Sequence, residues 1–249
     1  MFDGQLRFRY AEVQRELKET EKLARHFLDR RALGLLSQAA DHLEYRRRQG
    51  GTGEWGLPQG TPLITRPSRG YEVGGRRGSH ELQASIDSTW GIAAEDPHTF
   101  RVTGNVSTRV RLLDGDGGRE LGRWRIEFGG AGSPGCFFHT QIRAQAEDQV
   151  PPWPHSVPVP RLPSPFVSIP AVVTFVLGEL FQTQWAQHVD SPRADRLAAD
   201  QRRHWENRLQ WELELVRRQR TLPWSAVKRA LPHRELFLPE SPENIFQGG

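Results

Sequence analysis

The chain has 249 residues, 36% hydrophobic and 26% charged, with 34 basic against 30 acidic residues and a formal charge of +4 at pH 7. That length hides roughly 70–75% of the unfolded surface, and no run of about 18 apolar residues is present to cross a bilayer. A single cysteine, Cys136, excludes an internal disulfide framework and a cysteine-rich zinc site, and residues 1–9 carry charge without an apolar leader core, so a reduced, soluble, cytoplasmic protein is expected.

Residues 6 to 48 read as helical. Tyr10, Val13, Leu17, Ala24, Phe27, Leu28, Leu35, Leu36, Ala39 and Leu43 recur near a 3.6-residue period. Charged residues between them form a solvated face, Gly34 divides the stretch, and Arg46 to Arg48 before Gly50 make a cationic last turn and a stop. Residues 50–79 are dominated by glycine, proline and arginine and read as a long loop, which is either functional, partly disordered or hiding a short strand near Leu63 to Thr65.

From Ser79 the period becomes two. Leu82, Ala84, Ile86, Ser88 and Trp90 alternate with polar residues, and Val106, Thr108, Val110 and Leu112 share a face in the next run. Asp114 to Gly118 is a hairpin turn, the return strand carries Leu121, Trp124, Ile126 and Phe128, and a last strand runs from Cys136 to Arg143. Strands joined by tight turns without intervening helices predict an antiparallel meander.

The proline-rich stretch 151–170 is extended, since each proline fixes its own φ and pushes its predecessor out of the helical region. Ser168 and Pro170 then open an apolar helix to about His188, expected to be central and to bury Phe175. Ser191-Pro192 opens another to about Arg220, with Leu197, Trp205, Leu209, Leu213 and Val216 as its buried stripe and Trp211 as an interface residue off it. A short helix at 223–230 and a proline-punctuated tail complete the chain. The fold class is therefore α+β: N-terminal helices (1–50), a loop and a four- to five-stranded meander (51–149), then a proline-rich segment and C-terminal helices on one sheet face (150–249), in one compact domain.

Lys18, Lys22 and Lys228 are the lysines, so 31 of the 34 basic residues are arginine. Arginine's planar fork suits phosphate and carboxylate, and a genome rich in G and C, such as many bacteria have, raises arginine, glycine, alanine and proline together. Alternation puts Arg109, Arg111, Arg123 and Arg125 on the sheet face away from the helices, joined by Arg101, Arg143, His139 and Gln141, a candidate anion platform. Across the hairpin Arg109 and Arg111 oppose Arg123 and Arg125, a repulsive arrangement that a carboxylate such as Asp87 or Glu127, or an acidic partner, would neutralise.

Other chemistry has less to stand on. Cys136 and His139, three apart on a strand, face opposite ways, so the cysteine reads as a small buried residue. The nine histidines include no i,i+3 or i,i+4 pair and no HExxH, and no metal or cofactor is expected. Asp114 to Gly117 lacks the remaining ligands of a calcium loop, and no phosphate loop or serine-nucleophile elbow is present. Glu179 is either a buried carboxylate partnered by Arg161 or part of a solvent strip with Gln182 and Gln187.

Helix, meander, extended proline segment and helices in this order resemble the ubiquitin-conjugating fold over residues 5 to 190. Phe138-His139-Thr140-Gln141 stands where that family carries His-Pro-Asn, but proline and asparagine are missing and no cysteine follows. The resemblance implies a non-catalytic relative or other chemistry. The leading expectation is a non-enzymatic adaptor that holds an anionic or protein partner on the arginine face or proline-rich segment. The rivals are an enzyme with His139 as general base and Gln141 or the arginines positioning substrate, and a nucleic-acid-binding protein, in keeping with a pI near 9.7.

Overall fold

A computed structural model describes residues 6–73, 76–78, 80–115, 118–128, 138–143, 162–164 and 168–218. Cys136, Arg161, the prolines from 151 to 160 and the helix expected over 223–230 lie outside them.

The N-terminal segment begins with a strand, β1 (Arg7–Arg9), where helix was expected. Phe8 points inward between two outward arginines, and the three residues pair with the long strand β7 (Thr99–Asp114). Helix α1 (Tyr10–Ala24) follows, then a 3₁₀ turn (Arg30–Ala32) and α2 (Leu35–Gln49). Gly34 adopts φ +91, a left-handed conformation that favours glycine, and divides the helices as expected. Glu21 of α1 accepts from Gly34 N (2.5 Å) and Ser37 N (2.6 Å), placing a carboxylate on the positive end of α2.

The described residues between 50 and 78 form strands where a long loop was expected. Strand β2 (Thr52–Gly56) pairs with the far half of β6 (Leu82–Ala94), and β3 (Leu63–Ile64) pairs with its near half on the same edge. A small hairpin, β4 (Glu72–Val73) with β5 (Arg76–Arg77), stands off the main sheet. Short strands like these carry too few residues to show a period, so only β3, at the strand alternative near Leu63 to Thr65, was foreseen.

Strands β8 (Glu120–Phe128), β9 (Phe138–Arg143) and β10 (Leu162–Pro163) continue the sheet, whose order is β10-β9-β8-β7-β6-β2, with β1 on β7 and β3 on β6. Every pairing is antiparallel. The inner face packs Ala84, Ile86, Val110 and Ile126 under α3 (Ile169–His188), whose Val173, Val176 and Leu177 are buried. At the other end Phe100 is fully buried among Phe8, Tyr10 and Trp55, with ring centroids 4.9–6.2 Å apart, and Trp55 Nε1 donates to Ala39 O at 2.7 Å. Ser168 caps α3 by accepting from Ala171 N, with Pro170 in the first turn.

Helix α4 (Pro192–Arg218) keeps Leu197 of its expected stripe inside and turns Trp205, Leu209 and Leu213 outward. Trp205, Leu209 and Leu213 are 47%, 46% and 44% exposed, while Leu197, Asp200, His204, Arg208 and Trp211 are buried. Trp211 is thus a core residue and Trp205 the surface one. The reason lies on the facing helix, because α1 presents Glu12, Arg15 and Glu16 to α4 and charged partners draw its polar face inward. Phe175, expected to be fully buried, is half-buried at the edge of α3. No helix among the described residues is long and apolar enough to cross a membrane.

Candidate functional site

The arginine face forms with the expected register. Arg109 lies across from Asp87 and Arg125, Arg111 from Ser85 and Arg123. On β9, Arg143, Gln141 and His139 stand across from Arg123, Arg125 and Glu127, which extends the rows to the sheet's far side. Arg101 is separate: it sits eight residues before Arg109, about 26 Å along an extended strand, and pairs in register with Arg7 and Ala93.

Carboxylates interleave with these cations. Arg111 Nη2 is 3.4 Å from Asp87 Oδ2 and donates to Ser85 Oγ at 2.9 Å, Arg123 pairs with Glu120, and Arg125 pairs with Glu127. The opposed cations are therefore answered mostly within the protein, which lowers the attraction left for an external anion. Arg109 has no carboxylate in ion-pair range among the described residues.

A second site, absent from the sequence reading, opens on the inner face. Leu82, Ala84, Leu112, Trp124 and Thr140 from the sheet and Phe175, Val176, Glu179, Leu180 and Gln182 from α3 enclose a cleft of about 460 Å³, with Tyr71 and Glu72 at its rim. Alternation on β6, β7, β8 and β9 supplies its floor, so the same periodicity that builds the core builds the cleft. Tyr71 is fixed by donating its hydroxyl to His80 O at 3.1 Å. Gly78 lets the ring lie close, since a Cβ there would fall 2.2 Å from the ring carbon Cζ.

The α3 wall of the cleft is kinked. Gln182 has φ +35 and ψ −105, the only non-glycine positive φ among the described residues. Ser68 Oγ donates to Leu180 O at 2.6 Å and accepts from Gly70 N at 2.9 Å, so the strap leading to β4 binds a carbonyl at the kink. An inserted side chain of this kind is an identifiable cause of a sharp bend. Glu179 is exposed at the mouth, Gln187 is exposed further along α3 and Gln182 is partly covered, which fits the solvent-strip alternative. No cation lies in ion-pair range of Glu179 among the described residues, whereas Glu72 stands across the small hairpin from Arg77.

Between α1 and α4 runs a buried ionic seam. Arg15 Nε and Nη2 donate to the two oxygens of Asp200 at 2.9 Å each, a bidentate pair. His204 Nδ1 lies 3.0 Å from Glu16 Oε2 and Nε2 3.9 Å from Glu12 Oε2, close enough for charge attraction though not aligned as hydrogen bonds. Ser168 Oγ donates to Glu16 Oε1 at 3.0 Å, tying the seam to the start of α3. Burial pushes the His204 imidazole toward neutrality, but Glu16, Glu12 and Asp200 outweigh it and raise its pKa above the usual 6.5. Burial likewise opposes ionisation of Asp200, and Arg15, Arg203 and His204 prevail and hold its pKa below the ordinary range. The spacing Asp200, His204, Arg208 with Glu12, Glu16 was the sequence signal for this seam. Among the described residues no group of three or more histidine, cysteine or acidic side chains is arranged to hold a metal ion.

No protein-family model matches the chain. Neither the curated proteins nor the solved structures contain a match.

Proposed function

We propose that this chain is a binding protein rather than an enzyme, and that its ligand is an apolar small molecule seated between the sheet and α3. The cleft itself carries the reading: its 460 Å³ fall within the roughly 300–1,000 Å³ of small-molecule sites, and its walls are mostly aliphatic and aromatic with polar groups at the rim. The backbone at Gln182 supports it, because such conformations persist where the surroundings hold them and cluster at ligand sites.

Nile red, an uncharged dye that brightens in apolar surroundings, should bind the full chain saturably. Leu112→Trp, which adds an indole from a half-buried strand position, should remove that binding and leave the thermal midpoint nearly unchanged. Dye binding that survives in the folded variant would overturn the reading.

Arg109 favours a second reading, the adaptor role. Arg109 is half-buried without a carboxylate partner among the described residues, at a register position shared with Arg125 and, on β9, Gln141. An anionic partner would be attracted there, and its binding would weaken with salt. Arg109→Gln should weaken that association while leaving stability equal or slightly higher. A variant that binds as well as the parent would remove this reading.

A further inference from the structure

We infer that the cleft selects amphiphiles with a positively charged head, an inference that rests on the cleft being a ligand site. The apolar body of such a molecule is accounted for by Leu82, Leu112, Val176 and Leu180. Its head is decided by the charge at the mouth, which among the described lining residues is carried by Glu179 and Glu72 and is negative. Glu179 is exposed on the rim with no cation in ion-pair range among the described residues, while Glu72 pairs in backbone register with Arg77. An anionic head would meet repulsion from Glu179, and an uncharged head would gain nothing from it.

Two further features act in the same sense. The kink at Gln182 ends the first segment of α3 beside the cleft. The carbonyl end of that segment, the negative end of its peptide dipoles, therefore lies at the same mouth, where cations are favoured. The rings of Tyr71, Trp124 and Phe175 line the cleft, and aromatic faces attract a desolvated ammonium. Carboxylate, dipole end and rings converge on one opening, which is how quaternary and primary amines are commonly held.

The test uses the full chain and three probes with one decyl tail, each below its micelle concentration: decyltrimethylammonium, decanol and decanoate. Titration calorimetry at low salt should rank the cation about fivefold tighter than decanol, the scale of a surface ion pair, with decanoate weakest. Glu179→Gln should erase the preference and leave decanol affinity unchanged, and Glu179→Lys should turn it toward decanoate. Because Glu179 is exposed, both variants should fold. If decanol binds and the three heads rank alike, or if the ranking survives Glu179→Gln, the charge inference falls and the cleft reading stands. If none of the three binds, both fall.

Discussion

The two sides of the molecule are closed by opposite means. Where α3 meets the sheet, Val173, Val176 and Leu177 bury against Ile86, Val110 and Ile126, and the contact is apolar and indifferent to pH. Where α4 meets α1, Glu16, Asp200, His204 and Arg208 are buried beside Leu197 and Trp211, while the apolar Trp205, Leu209 and Leu213 face outward. Apolar burial stabilises in proportion to area without regard to orientation. A buried charge must find its partner, because the attraction only offsets desolvation when the geometry is right. The α4 contact therefore gains specificity of placement rather than a large net stability.

That contrast can be broken in three ways. The largest effect is expected on the apolar side. Phe100→Ala removes a fully buried ring packed against Phe8, Tyr10 and Trp55 and should cost about 3–5 kcal/mol. For a chain of this size the thermal midpoint should fall by roughly 6–20 °C. A fall under about 2 °C would mean that this cluster is not the core.

His204→Leu should cost about 3 kcal/mol at acidic to neutral pH by leaving Glu16 without its counter-ion. Its pH dependence is the sharper measurement. The folded state raises the His204 pKa, so the stability it adds is fully present below about 6.5 and is lost as pH rises through the folded value. Urea midpoints taken at several pH values from 6 to 9 should therefore decline more steeply in the parent than in His204→Leu, and the two curves should converge at high pH. Parallel curves would remove the seam's claim to be an ionic closure.

The smallest effect is expected from Leu209→Ser, whose target is nearly half exposed on the outer stripe of α4. Its stability change should stay within about 0.5 kcal/mol of the parent. A loss above about 1.5 kcal/mol in chemical denaturation would show that the stripe is covered and that the two sides are closed alike.

What could be read from the sequence follows the same divide. The long strands and the register through the Asp114 to Gly118 turn were legible because side-chain direction alternates strictly, and Arg109 faces Arg125 as that alternation requires. The start of α3 was legible from Ser168 and Pro170, which act through local backbone chemistry. The burial of α4 was not, because an apolar stripe normally marks the inward face and here the charges of α1 decide. The cleft was hidden for another reason. Its kink falls at Gln182, a residue with no breaker signature, and depends on Ser68, 112 positions away from the Leu180 carbonyl that it binds.

The seam also sets an order of events during synthesis. Arg15 and Asp200 are separated by 185 positions, and Asn207, which donates to Arg7 O, by 200. At a ribosome's pace of about 5–20 residues per second, α1 waits on the order of 10–40 s before its partner helix exists. Until then Glu12 and Glu16 stay hydrated and the groove above α1 stays open, a nascent surface that is ionic and resists sticking to other chains. Among the described residues, the last helix made is the one that seals the first.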